Sequence, residues 1–110
     1  MFSRELKKGS TELLVLALLE ERARHGYDIG KRIEAESHGR LTFRIGSLYP
    51  ILCRLEDKRL IAGRWIERPG ERRRRYYRLT AAGRKALERE RTLWAAFVLT
   101  VNRIAGARHA

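Results

Sequence analysis

Four consecutive arginines, Arg72 to Arg75, are the strongest cluster of chemically competent side chains in the chain. A guanidinium is always charged and presents a planar fork of donors that matches phosphate oxygens. On a strand, alternate side chains face opposite ways, so not all four can meet one ligand; Arg72 and Arg74 are the pair expected to bind. A second set lies around Gly46-Ser47-Leu48-Tyr49-Pro50. Ser47 and Tyr49 can hydrogen-bond base edges or phosphates, although Ser47 also suits a helix cap and Tyr49 a packing role. Arg54 lies seven residues, close to two helical turns, beyond Ser47, which puts it on the same face and within reach of phosphate or guanine. Arg40 and Arg44, in the approach to this segment, suit phosphate contacts. Tyr27 opens another helix, whose terminal amides can hold a phosphate; a core tyrosine is the other reading.

No comparable set supports catalysis. His25, His38 and His109 are too scattered for a metal site or a catalytic pair, and no activated nucleophile, paired carboxylates or phosphate loop accompanies them. Cys53, the single cysteine, excludes an intramolecular disulfide and a cysteine-based zinc site, and reads as a half-buried structural residue. The expectation is no enzyme, no metal and no cofactor. Across 110 residues, 25 Lys and Arg stand against 13 Asp and Glu, a net charge of +12. Residues 1–40 carry +1 of it, residues 41–79 carry +7 and residues 80–110 carry +4. At 44% apolar the chain is too hydrophobic for a disordered basic tail. Its longest apolar run, Leu13 to Leu19, is seven residues, far short of the ~18 a membrane span needs. The first residues lack the pattern of a signal peptide. These features predict a cytoplasmic domain whose partner is a polyanion and not a membrane.

The elements that would position these groups follow from periodicity and caps. Gly9-Ser10-Thr11-Glu12 reads as a helix start, with Ser10 or Thr11 as N-cap. The leucine-rich run after it, apolar nearly all round, marks a helix central to the core that stops near Arg24, with His25-Gly26 as a turn. A second helix is expected from about Tyr27 to Ser37, with Gly30 suited to close helix packing and Gly39 to a left-handed cap. A third begins at Gly46-Ser47, with Ser47 as N-cap, Pro50 in the first turn, and Leu48, Ile51, Leu52 and Leu55 as the buried stripe. Leu60 to Ile66 and Arg75 to Leu79 form a hairpin about the turn Arg68-Pro69-Gly70-Glu71. Thr80 caps a last helix running to about Ile104. The fold expected is mainly α with a small β-hairpin: a winged helix-turn-helix over residues 1–79 and a long C-terminal dimerisation helix and tail over residues 80–110. In that arrangement helix three enters the DNA major groove and the wing lies along the backbone or minor groove.

Gly9-Ser10, Leu13-Leu14-Val15-Leu16, His25-Gly26-Tyr27, Gly46-Ser47-Leu48-Tyr49-Pro50, Arg54-Leu55-Glu56 and Tyr76-Tyr77-Arg78-Leu79-Thr80 follow one another in an order that resembles the PadR family of bacterial transcriptional regulators. The resemblance covers about residues 6–105 and is nearest to the small subfamily with a single C-terminal helix. It implies a homodimeric repressor on a palindromic operator in double-stranded DNA, commonly answering to a small aromatic ligand. Two positions depart from the family pattern. Relatives usually carry Gly where Arg59 stands; a left-handed cap there would cost up to ~1 kcal/mol, so helix three is expected to end differently. Glu71-Arg72-Arg73-Arg74 stands where relatives often have Gly-Arg-Pro-Arg, which removes two shape-setting residues and strengthens the charge.

On the last helix, Leu87, Trp94, Phe97, Val101 and Ile104 fall at alternating steps of three and four once the Glu90 position is included. A single helix outside a small domain cannot bury that seam, so a partner chain is expected on it. Trp94 and Phe97, one turn apart, could also flank a flat effector at the dimer axis. The alternatives from other classes are a winged-helix protein-interaction module and a nonspecific nucleic-acid binder.

Overall fold

The computed structural model describes residues 4–106, with side chains from Gly9 onward; His109 lies outside the described residues. The elements are α1 (Arg4–Glu21), β1 (Arg24–His25), α2 (Gly26–Glu36), α3 (Ile45–Asp57), β2 (Ile61–Ile66), β3 (Arg74–Leu79) and α4 (Ala81–Ala105). Gly9, Ser10 and Thr11 therefore sit inside α1 instead of capping it, and Thr11 is buried. One interior glycine weakens a helix by only about 1 kcal/mol, which the hydrogen bonds of the turns on either side outweigh. Val15, Leu16, Leu18 and Leu19 bury in the central core, as their dense spacing requires.

The expected turn at His25 is a strand and a cap instead. Arg24 and His25 pair antiparallel with Tyr77 and Tyr76, which makes a three-stranded sheet of order β1-β3-β2 and not a hairpin alone. His25 then N-caps α2, its Nδ1 accepting the Asp28 backbone N–H at 3.2 Å. Arg24 is 3% exposed, and its guanidinium donates to Glu21, Asp28 and the Leu18 carbonyl at 2.7, 3.1 and 3.2 Å. A cation at this depth is tolerated because each of its three nitrogens keeps a hydrogen bond and two carboxylates offset its charge. Gly30 serves the close approach expected of it: a Cβ there would stand 3.3 Å from both Leu48 and the Phe43 carbonyl.

Helix α3 starts at Ile45 with Arg44 as N-cap, so Ser47 lies within the first turn and caps nothing. Pro50 is correspondingly inside the helix and not in its first turn. The bond it cannot donate would have gone to the Gly46 carbonyl, at an exposed end where water can substitute. At the other end Arg59 adopts a left-handed φ of 62°. Arg59 N–H donates to the Glu56 carbonyl at 2.9 Å and Leu60 N–H to the Leu55 carbonyl at 3.0 Å, the paired bonds of a left-handed C-cap. The helix thus ends in the conformation that glycine favours despite the arginine. Tertiary bonds hold it: Thr80 Oγ1 donates to the Arg59 carbonyl at 2.8 Å, and Thr80 N–H to the Leu60 carbonyl at 3.1 Å.

The same Thr80 caps α4 by accepting the Gly83 N–H at 3.0 Å. A Cβ at Gly83 would fall on the Leu60 carbonyl, so only glycine lets α4 seat here. Gly83, Ala86 and Leu87 are buried, and the core runs across the boundary expected at 79/80. Leu87, expected on a seam between chains, is 0% exposed inside its own domain and offers a partner nothing to touch. Beyond it Arg91 ties α4 to Glu20 of α1 at 2.7 Å, and no described residue of α4 past Leu87 is buried.

Candidate nucleic-acid interface

The N-termini of α2 and α3 converge on the sheet, and the β2–β3 wing rises beside them. Between them lies a groove of about 500 Å³ whose lining includes His25, Tyr27, Ile45, Tyr49, Trp65 and Arg72 to Arg75. Tyr27 and Tyr49 are 54% and 57% exposed, which rules out the core reading of either. Arg74 leans over the Tyr27 ring, its guanidinium carbon 5.6 Å from the centroid, and reaches His25 Nδ1 at 3.4 Å. That nitrogen already accepts from Asp28, so the imidazole proton sits on Nε2. Burial, then the Arg74 charge, holds the His25 pKa below its ordinary value. The imidazole is thus a neutral cap in a cationic groove.

The four wing arginines all line the groove but differ in their partners; Arg74 and Arg75 open β3, whereas Arg72 and Arg73 precede the strand and alternation does not govern them. Arg75 turns inward, bonds Glu56 at 2.5 Å and lies 5.7 Å from the Trp65 centroid. The Glu56 hydrogen bond raises its pKa further. Arg73 stacks on Trp65 at 4.6 Å, with Glu67 at 3.7 Å. Arg72 meets no carboxylate among the described residues, and Arg74 meets only the aromatic pair.

The structure brings Tyr27, Tyr49, Arg72 and Arg74 to one groove. Arg44 lines a smaller hollow beside it, with Tyr27, Lys31 and Phe43. Ser47 is exposed in the first turn of α3. Arg40 is exposed in the α2–α3 connection and lines neither hollow. Arg54 is on the flank of α3 away from the wing, bonded to Glu12 of α1 at 3.0 Å, with Lys58 3.7 Å from the same carboxylate. Trp65, His25 and Glu56 belong to this face and were missed. Trp65 was legible: a hairpin folded symmetrically about Gly70 sets Trp65 opposite Arg75, which is the observed pair. Glu56 and His25 gave no such signal.

A second hollow, about 760 Å³, runs between α1 and α4 and is lined by Leu13, Leu16, Leu93, Trp94 and Phe97, with Glu12 and Glu90 at its rim. The Trp94 and Phe97 rings stand 6.0 Å apart, tilted by 41°. Val101 and Ile104, further along α4, are 40% and 82% exposed.

Residues 15–89 match the profile of the transcriptional regulator PadR-like family. The chain belongs to that family. Among solved structures, a transcriptional regulator from Clostridium thermocellum superposes with a TM-score of 0.85 at 28% identity, over 94% of this chain and 97% of that one. A PadR family transcriptional regulator from Eggerthella lenta superposes with a TM-score of 0.80 at 31% identity, over 94% and 88%. A 37.1 kDa protein in transposon Tn4556 of Streptomyces fradiae is 44% identical over 85 residues; the match covers 77% of this chain and 23% of that protein. Membership in the PadR-like family assigns the chain to transcriptional regulation and not to catalysis. No helix among the described residues is long and apolar enough to cross a membrane.

Proposed function

We propose that this PadR-like regulator is a cytoplasmic, homodimeric repressor that binds a palindromic operator in double-stranded DNA. Residues 1–79 act as the DNA-binding part and residues 80–110 as the dimerisation part. The observation that carries the reading is the single groove shared by Tyr27, Tyr49, Arg72 and Arg74 between α3 and the wing. The N-terminal half of α3 enters the major groove, where Tyr49 and Ser47 meet base edges. Arg72 and Arg74 bind phosphates along the wing, and Arg40 and Arg44 do so ahead of α3; Arg54 reaches a phosphate from its perch on Glu12.

Dimerisation uses the outer half of α4. Leu93, Trp94, Phe97, Val101 and Ile104 are all more than a third exposed there, a concentration of apolar surface that favours a partner. A second copy related by a two-fold axis sets two α3 helices on successive turns of the duplex, hence a palindrome. Trp94 and Phe97 flank a small planar aromatic effector, whose binding changes the angle between the two DNA-binding halves and releases the operator.

Selection of DNA from random fragments by the purified protein tests the reading. A palindromic consensus is expected, bound at least ~10³-fold more tightly than bulk DNA. Binding without a consensus would mark a nonspecific nucleic-acid binder, and no binding a protein-interaction module. For the effector, a Trp65→Phe variant isolates Trp94 fluorescence, which planar aromatics should quench saturably; an unsaturable response would leave Trp94 as interface packing.

A further inference from the structure

Helix α3 and the wing can grip one duplex only if the angle between them is held; Ile61, Tyr77 and Leu79 anchor the base of the hairpin in the core beside α3, but its outer part extends beyond that anchor. Glu56, in the last turn of α3, bridges the two. Its Oε2 accepts from the Arg75 guanidinium at 2.5 Å and from the Gly63 backbone N–H at 3.2 Å, one bond to each wing strand. We propose that Glu56 is a positioning residue that fixes the wing against α3 through Arg75 and thereby sets DNA affinity. The second half of this proposal rests on the DNA-binding reading above.

Three features support the assignment. Gly63 stands where a Cβ would fall 2.5 Å from Arg75 Nε, so the absent side chain leaves the guanidinium a path across β2 to the carboxylate. The contact then extends outward, because Arg75 and Arg73 both lie over the Trp65 ring, at 5.7 and 4.6 Å. A chain of contacts thus runs from α3 to the arginine-bearing return arm of the hairpin. Finally, a carboxylate two turns beyond Tyr49 on the same face of α3 would repel phosphate if left bare. Arg75 neutralises it, at the cost of its own availability to DNA, and both side chains are about 30% exposed, enough shelter for the pair to hold its geometry.

Three variants decide the matter: Glu56→Ala, Glu56→Gln and the charge swap E56R/R75E. Each is measured for thermal midpoint, for affinity toward the duplex chosen by the selection above, and for acrylamide quenching of Trp65 in a Trp94→Phe background without DNA. Glu56→Ala should bind about ten-fold more weakly while its midpoint falls by only a few degrees, and Trp65 should become more accessible. Glu56→Gln, which keeps an acceptor but not the charge, should fall between. The swap should recover most of both the affinity and the Trp65 protection, which a loss of general stability would not do. Unchanged affinity in Glu56→Ala, or a swap as weak as either single variant, overturns the proposal. Should the parent protein bind no duplex, the DNA reading fails on its own account, and Trp65 quenching still decides whether Glu56 holds the wing: no change on Glu56→Ala refutes it.

Discussion

Replacing Arg72 and Arg74 with Ala removes from each chain the two wing cations that line the groove without a carboxylate partner. Salt dependence measures how many phosphates a protein neutralises, because each contact releases condensed counterions and adds about 0.9 to the slope of log K against log salt. Two contacts per chain and two chains per operator make the slope shallower by about 3.6 in the double variant. With the intercept at 1 M salt unchanged, that slope corresponds to roughly a thousandfold weaker binding near 0.15 M. Fluorescence anisotropy of a labelled operator, titrated at several salt concentrations, gives both quantities. The control removes the same charge elsewhere: Arg22→Ala with Arg32→Ala, two arginines outside the groove that lie 3.9 Å from Asp28 and 2.7 Å from Glu36. This control should leave the slope within about one unit of the parent value. An unchanged slope in the Arg72/Arg74 variant would refute the wing as a phosphate contact. Equal flattening in both pairs would show that net charge, and not placement, drives the binding.

Arg59→Gly should stabilise the protein by about 0.5–1 kcal/mol, because the left-handed φ of 62° costs a side chain what it does not cost glycine. A thermal midpoint raised by a few degrees checks this, and Arg59→Ala must show no such gain, since equal gains would point to relief of charge repulsion. Phe97→Asp should yield monomers in sedimentation without loss of helical signal, as Phe97 is 59% exposed and outside the domain core; an intact dimer would remove α4 from the interface. His25 predicts an acid-side weakness. Its folded pKa lies below the 6.5 of the unfolded residue, so the unfolded chain binds more protons between the two values. Stability is complete above pH 6.5 and falls as pH drops through the folded value, as protonation costs Asp28 N–H its acceptor and sets two cations side by side. His25→Asn keeps a capping acceptor that does not titrate; urea midpoints at pH 7.5 and 5.5 should converge in this variant, and an undiminished loss would place the acid sensitivity elsewhere.

Much of the fold was legible because it rests on long periodic signals. The leucine run of α1, the stripe Leu48, Leu52 and Leu55, and the Thr80 cap of α4 all read directly from residue type and spacing. What escaped was short or decided by distant contacts. β1 is two residues long and exists only because β3 offers it an edge. Ser47 is a good cap by type, yet α3 begins earlier, at Ile45, with the extended Arg44 as an N-cap that offers no side-chain bond. Arg59 shows tertiary bonds overriding residue preference: Thr80 holds its carbonyl, and the left-handed cap forms regardless. Leu87 fits the exposed seam by spacing, but α4 has not yet left the core at that point, which periodicity along one helix cannot reveal. Within the groove Arg74 and Arg75 face different partners as strand neighbours do, but Arg72 and Arg73 precede β3, and the partner that draws Arg75 inward lies 19 residues away.

Carboxylates, more than arginines, define the basic face. A net charge of +12 names a polyanion but no place for it. Glu21 and Asp28 hold Arg24 in the core, Glu56 draws Arg75 inward, and Glu67 sits beside Arg73. All four wing arginines line the groove, and among the described residues Arg72 and Arg74 do so with no carboxylate beside them. Glu67 beside Arg73, and Glu12 beside Arg54 and Lys58, act differently, because all of these side chains are more than a third exposed. An exposed pair contributes only about 0–1 kcal/mol, less than a charge-assisted bond to phosphate can return once the counterions leave. Glu12 therefore does not withhold Arg54. Under the proposed function, its bond to Arg54 holds that side chain against the flank of α3, so that less conformational freedom would be lost on exchanging the carboxylate for a phosphate.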